Sequence, residues 1–537
     1  LERLKPSLEK HRGCDIIDIN PGAALFSAKL HDHLQPRTHI LLEPDKTYMP
    51  LIEPLINPPA SKYTLLPKSG LVWGHLEKVL CKEYLPFQKP LDNNDPKLEK
   101  PNDTLLVVAN LGLYPKRTYR GFPSLAVLVI HQLLSAIHAH SLFQRYGLVR
   151  MLVWLHDDET YTILPKTLSA RRKSALEAEI TCESISEVVS STAPYTMFRR
   201  FAALDIKRFS QVKKRMEEAG ITVPSKRESD LMQNFNEGRT GYEDTENFTA
   251  DFLRQLADLE ASYEKGEFQE TLDVSHLSTN PFNGKDLAGA KVINTPEFVR
   301  LQECRWRYQT QIRKKAKWMD LIFEYENIIS LQKKIFMCKD ATETENLKEN
   351  LKISTKAWKD DFDELSATSQ DIALAAIYEK IAFDVEPPVL MWDRRAVEPL
   401  KAHAEEFHPP RPMSLIDIQP KSVWPILRKN YPDNFDILDY IVCQLYIIPT
   451  QSMKRGLTAL APGAYEWLVA ECPALTDPTK GGNLDLDFMP VRMVSMEMLE
   501  QMVEAWARWP FRPSKFELMT RLGSSVHDDL DDDAQFK

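Results

Sequence analysis

No two of the seven cysteines form a Cys-x-x-Cys or Cys-x-x-His pair. They stand far apart at Cys14, Cys81, Cys182, Cys304, Cys338, Cys443 and Cys472. The odd count and wide spacing argue against a disulfide framework and a structural zinc site. They fit a reducing, intracellular compartment. No apolar run reads as long enough to span a bilayer. No Ser-His-carboxylate grouping, metal-ligand cluster or Gly-Lys-Ser/Thr phosphate loop is present, and no internal repeat is found. An excess of positive charge is also missing: 68 Lys and Arg face 77 Asp and Glu, a net charge of −9. Any nucleic-acid contact must then come from a local basic face. The sequence begins at Leu1 rather than Met, which leaves room for a targeting segment ahead of it.

What is present is enough chain, 537 residues, for two or three cores. Cys14–Ile19, Thr38–Leu42, Thr104–Ala109 and Val149–Leu155 are short runs rich in Val, Ile and Leu. They predict buried strands. Helical patterns at Ala23–Leu34 and Ser124–Gln144 lie between them, which predicts βαβ units and a parallel sheet. Residues 201–386 are polar, charged and helical in pattern, with Thr249 as a candidate cap and a long helix from about Pro296 to Lys339. Residues 265–295 predict a loop. Two short strands are expected at Val389–Trp392 and Ser414–Ile418, and helices again from Phe435 to Leu518. The expected organisation is an α/β domain over 1–200, a helical insertion over 201–386, and return strands with a linker over 387–420. A helical C-terminal domain over 421–520 and an acidic, disordered tail over 521–537 complete it.

The sharpest motif is Asp18-Ile19-Asn20-Pro21-Gly22-Ala23-Ala24, which follows a strand and opens a helix. Such a turn lets backbone N–H groups approach a nucleotide while the helix presents its positive end. Glu43 ends the second predicted strand, where an acidic side chain holds a ribose diol. Asn110-Leu111-Gly112-Leu113 stands at the tip of a third, so that Asn110 faces a reacting base. Each piece alone reads equally as an ordinary turn or a solvated loop. Together they point to a nucleotide pocket.

These pieces resemble the motifs of the rRNA adenine N6-dimethyltransferases. Those enzymes carry an acidic residue followed by Ile-Gly-Pro-Gly-x-Gly, and a catalytic Asn-Leu-Pro-Tyr/Phe. Phe407–Ser414 resembles the family's entry into its C-terminal domain, with one extra residue between Pro409 and Pro412, and Thr450–Leu457 resembles the basic helix there. Asp18–Tyr48, Leu105–Asn110, Phe143–Lys173 and Trp509–Pro513 are closer to a branch of the family that serves mitochondrial RNA polymerase as a specificity factor. The resemblance spans about 10–200 and 387–520. It implies a class I S-adenosylmethionine-dependent, Rossmann-like methyltransferase domain with a large helical insertion and a small helical C-terminal domain. It also implies S-adenosylmethionine at Asp18, Gly22, Glu43 and Ser69, with Asn110 catalytic if the enzyme is active, and a mitochondrial matrix location.

The departures are as informative. Asn20 and Ala24 stand where the family has glycine, and Ser69, beside Lys68, where it has an Asp near the adenine. Gly112 and Leu113 replace the catalytic proline and aromatic ring, with Tyr114 one residue on. Added side chains crowd the close backbone approach that glycine permits, and base stacking needs the aromatic face. We therefore expect a methyltransferase fold reused for binding.

Three basic groups are candidate nucleic-acid contacts: Lys166 with Arg171, Arg172 and Lys173, followed by Arg199 and Arg200; Arg305, Arg307, Lys314 and Lys315, interleaved with Trp306, Tyr308 and Trp318; and Lys454 with Arg455. Each reads either as a phosphate-facing patch or as a solvated charged face. His31, His33, His131, His138 and His140 read as core or surface histidines. Three functions remain open. The first is a transcription initiation factor that binds mitochondrial RNA polymerase and promoter DNA. The second is an rRNA adenine dimethyltransferase acting on mitochondrial small-subunit rRNA. The third is a non-catalytic mitoribosome-associated or assembly protein.

Overall fold

The computed structural model describes residues 1–112, 116, 118, 119, 121–191, 201–243, 248–268, 270–273, 291–514 and 516–518. Leu113, Tyr114, Arg199, Arg200 and the acidic tail lie outside them. The described strands are β1 (Asp15–Ile19), β2 (Thr38–Leu42), β3 (Tyr63–Leu66), β4 (Pro101–Asn110), β5 (Leu148–His156), β6 (Cys182–Ser191), β7 (Glu270–Asp273), β8 (Lys291–Asn294), β9 (Leu400–Ala402) and β10 (Met413–Pro420). Eight of them form one mixed sheet in the order β3-β2-β1-β4-β5-β10-β6-β9. β1 to β5 run parallel. β10 enters antiparallel between β5 and β6.

The parallel strands are mostly apolar because both faces are covered. On one face Ile17, Ile19, Val107, Ala109 and Met151 pack with Val129, Ile130 and Leu133 of the helix Leu125–His138. On the other, Ile16, Leu106, Val108 and Leu152 pack with Leu30 and Leu34 of the helix Leu25–Leu34. By composition the stretch Leu125–Tyr146 is long and apolar enough to cross a membrane, contrary to the sequence reading. Here its helix ends at His138 and is a core element of the sheet.

Three further expectations fail. Within residues 265–295, expected as a loop, β7 and β8 pair antiparallel. Val389–Trp392 is not a strand but leads into a buried 3-10 turn, Met391–Arg394. Met391 and Trp392 join the core of the sheet, and Arg394 donates to the Pro388 and Val389 carbonyls, so the backbone needs no strand partner. The boundaries of the insertion also differ. Residues 1–200, 207–236 and 378–537 form one compact unit, and 201–206 with 237–377 form the other. Buried Arg208 pairs with Asp393, and Arg215 donates to the Arg394 and Arg395 carbonyls, which ties 207–236 into the first unit.

The C-terminal helices of the first unit have a core of their own, around Leu438, Ile441, Leu457, Leu468, Met502 and Trp506. The second unit is built on the long helix Pro296–Met337, with Ala250–Glu264 and Ala341–Asp363 against it. Thr249 caps Ala250–Glu264 by accepting from Phe252 N–H, as the sequence predicts.

Burial holds three histidines neutral. His11, His31 and His138 are each lowered to about 4, chiefly by desolvation. The unfolded chain takes up these protons near pH 6.5. Their contribution to stability is therefore complete above about pH 6.5 and lost progressively as the pH falls toward 4. The expected result is a melting temperature that drops steadily across that window in a buffer series. A flat profile from pH 7 to 4.5 contradicts it.

Candidate functional site

The carboxyl ends of the parallel strands bring the predicted pocket residues together. The turn after β1 carries Asn20 and Gly22, β2 runs into Glu43, Ser69 follows β3, and Asn110 ends β4. This edge, where the order reverses between β1 and β4, is where open α/β sheets bind ligands.

The turn itself keeps a glycine-like backbone without all of the glycines. Asn20, Gly22 and Ala24 have φ of 54°, 57° and 56°. Left-handed backbone costs a residue with a Cβ roughly 1–2 kcal/mol, so Ala24 stores strain that glycine would not. Ala24→Gly is expected to change stability by no more than about 0.5 kcal/mol, because relief of that strain is offset by the freer unfolded chain and by loss of a buried methyl group, Ala24 being 1% exposed. Urea unfolding measures it, and a loss of more than about 1 kcal/mol would contradict the assignment.

The polar groups of the crevice bond to one another. Glu43 Oε2 accepts from Gly22 N–H at 2.8 Å, and Oε1 accepts from Asp45 N–H at 3.0 Å. Its side chain is only 3% exposed. Burial pushes the Glu43 carboxyl above the ordinary glutamate value, against the opposing pull of the two N–H groups. Asn20 N–H donates to Leu42 O at 2.9 Å, and its side-chain amide donates to Asn110 O at 3.3 Å. Asn110 Oδ1 accepts from Gly112 N–H at 3.1 Å. Ser69 Oγ accepts from Leu71 N–H at 3.3 Å.

Asp18 departs from the expectation. It is buried, with Oδ2 3.6 Å from His39 Nε2. His39 Nδ1 lies 3.1 Å from His31 Nδ1, and both rings stack on Tyr63. Asp18 therefore faces the packing between sheet and helix rather than the crevice.

Three side chains that the motif reading does not single out close the crevice. The Tyr48 ring lies over Gly22. A Cβ at Gly112 would collide with the methyl group of Met413 on β10, so the bare glycine lets Met413 reach the turn. Trp154 on β5 meets Phe26 and Phe407 edge-on, at 5.8 and 5.6 Å between centroids. The segment Phe407–Ser414 thus enters beside the crevice. There Asp157 accepts from Ser414 Oγ at 2.6 Å and from Ser191 N–H at 3.1 Å. No local signal marks Asp157, because its partners lie in distant parts of the chain.

The basic groups are sorted by burial. Arg171 is fully buried, with Nε and Nη2 on Glu179 and Nη1 on the Arg492 and Val494 carbonyls. Lys166 sits 2.8 Å from buried Glu187, and Lys173 sits 2.8 Å from Asp439. Burial alone would lower both lysines, but the adjacent carboxylates raise them. Only Arg172 of this run is exposed. Lys166 and Arg171 are therefore held in structural ion pairs, and phosphate does not reach Arg171.

On the long helix, Lys315 is buried and donates to the Tyr242 and Glu243 carbonyls. Arg305 forks onto Glu260, and Arg307 lies over the Phe252 ring at 4.9 Å. Lys314 is exposed. Lys454 pairs with Asp487 at 2.7 Å, while Arg455 is exposed. Among the described residues no group of three or more His, Cys, Asp or Glu is placed to hold a metal.

No protein-family model matches the chain, and no curated protein matches it. Its chemistry must be read from the site.

Proposed function

We propose that this chain has the class I methyltransferase fold of the rRNA adenine dimethyltransferase lineage and works by binding. In this reading it is a mitochondrial transcription initiation factor, located in the matrix, that engages mitochondrial RNA polymerase and promoter DNA. Two features support the lineage. β3-β2-β1-β4-β5 is the doubly wound order, and the late strand β10 enters antiparallel between β5 and β6, the arrangement expected of class I methyltransferase sheets. The motif residues gather at the carboxyl ends of the strands.

The observation that carries the loss of chemistry is the self-pairing of the crevice. A ribose diol needs a carboxylate aimed outward, and both Glu43 oxygens are turned onto the backbone N–H groups of Gly22 and Asp45. Positioning an adenine amine draws on the Asn110 amide oxygen, and one of its two lone pairs already holds Gly112 N–H. Asp18 is turned inward and Met413 lies against the turn. This self-pairing takes up part of the acceptor capacity that S-adenosylmethionine would use, and the reading assigns these residues no part in methyl transfer.

Run-off transcription on a linear duplex promoter with the cognate mitochondrial polymerase tests the function. Promoter-specific transcripts are expected only when this protein is added. Full initiation without it overturns the reading. Co-sedimentation with ribosomal small subunits instead of polymerase would favour the assembly-protein reading.

A further inference from the structure

The long helix Pro296–Met337 sorts its basic and aromatic residues cleanly between inside and outside. Trp318 is 7% exposed and Trp306 is 72% exposed. Arg305 and Lys315 are consumed by Glu260 and by backbone carbonyls. Arg313, Lys314 and Lys317 are exposed, and no ion pair to them is found among the described residues.

These outward residues share a face. Trp306, Arg313 and Lys317 are spaced i, i+7, i+11, which at 3.6 residues per turn places them within a narrow arc, with Lys314 at its flank. At 1.5 Å per residue the stripe is about 16 Å long. Glu303 bounds it at one end and Asp320 at the other, so the positive charge is confined to the stretch beyond the ring.

The combination has a specific physical meaning. An exposed indole offers a large flat face on which another flat ring can stack. Unpaired cations spaced along the same face attract a polyanion. A base beside a phosphate backbone supplies both, provided that the base is unstacked and free to lie on the ring. Duplex DNA offers the phosphates but keeps its bases in the stack.

We propose that the Trp306–Lys317 face of this helix is a docking stripe for single-stranded nucleic acid. Trp306 stacks on a base, and Arg313, Lys314 and Lys317 neutralise the adjoining phosphates. The proposal rests on the reading that the protein handles nucleic acid, and it adds the site and the strandedness. Stacking does not read the sugar, so DNA and RNA single strands are both ligands.

The test uses the full chain and fluorescence anisotropy with labelled oligo-dT and oligo-U 20-mers and a 20-base-pair duplex. Trp306→Ala is expected to weaken single-strand binding by about 5- to 150-fold, the fold-change equivalent of one lost base stack, and to leave duplex binding unchanged. Neutralising Arg313→Gln, Lys314→Gln and Lys317→Gln together is expected to reduce the log–log salt slope by about 2, from three lost phosphate contacts. All four positions are exposed, so the variants should melt like the wild type, which circular dichroism checks. Comparable binding of oligo-dT and oligo-U is expected, because the contact does not read the sugar, and exclusive binding of one of them contradicts that. Wild-type affinity for both single strands in the Trp306→Ala variant overturns the proposal, as does a protein that binds neither. The initiation reading is judged separately by run-off transcription and survives loss of this face alone.

Discussion

Replacing Arg171 with methionine is expected to destabilise the first unit by about 3–5 kcal/mol, because it strands a buried carboxylate. The Arg171 guanidinium is fully buried and makes bonds of 2.8 and 2.6 Å to the Arg492 and Val494 carbonyls. It also spans both oxygens of Glu179, itself buried. Removing the cation leaves Glu179 charged and unpaired in a dry place, and leaves the two carbonyls without that donor. Removing both charges is far milder, since a well-packed apolar pair often replaces a buried ion pair at little cost. Arg171→Met with Glu179→Leu should therefore recover much of the loss. The neighbouring Arg172→Ala, at an exposed position, should move stability by no more than about 0.5 kcal/mol. Urea unfolding of the wild type, Arg171→Met, Glu179→Leu and the double variant gives the cycle, with Arg172→Ala as the exposed control. A phosphate-binding Arg171 would behave in the opposite way, with nucleic-acid affinity lost and stability untouched.

The second large effect belongs to Glu43. If it closes the turn after β1, Glu43→Ala should cost about 2–3 kcal/mol. Hydrogen bonds to a charged group contribute about 1.5–3 kcal/mol each, and relief of the desolvated carboxylate offsets part of that. Glu43→Gln keeps one acceptor oxygen and should lose roughly half as much. A carboxylate kept only for a ligand behaves differently: without the ligand its removal is neutral or stabilising, because a buried charge is no longer held in place. Thermal and urea unfolding of the free protein separate the two roles without any assay of activity.

Much of the fold is legible where burial on both faces leaves few polar residues. β1, β2, β4 and β5 match their apolar runs to within a few residues. β6 escapes the pattern, because Cys182–Ser191 mixes Glu and Ser with its apolar residues and is held by β10 and β9 from far along the chain. The three residues of β9 are too few to show a period. The apolar run at Val389–Trp392 misleads for the opposite reason: a short apolar stretch fits a buried turn as well as a strand.

The candidate site is legible as a set of positions but not as a set of bonds. Asp18, Gly22, Glu43, Ser69 and Asn110 are recognisable from motif and spacing. That Glu43 grips Gly22, and that Asp18 turns toward His39, depends on side-chain direction. Asn20 and Ala24 look in sequence like the loss of a glycine turn, yet the backbone keeps its left-handed shape. The basic runs show the same limit. Nothing local distinguishes buried Arg171 from exposed Arg172, because the carbonyls that receive Arg171 belong to residues 492 and 494.

In the proposed reading the crevice at the carboxyl ends of β1, β2 and β4 is closed by the chain's own groups and serves no methyl transfer. Isothermal titration of the full protein with S-adenosylmethionine tests it most directly. A closed crevice gives no binding heat up to millimolar cofactor. Saturable binding in the micromolar range, with Glu43→Gln weakening it, would contradict that claim and return the protein to the methyltransferases.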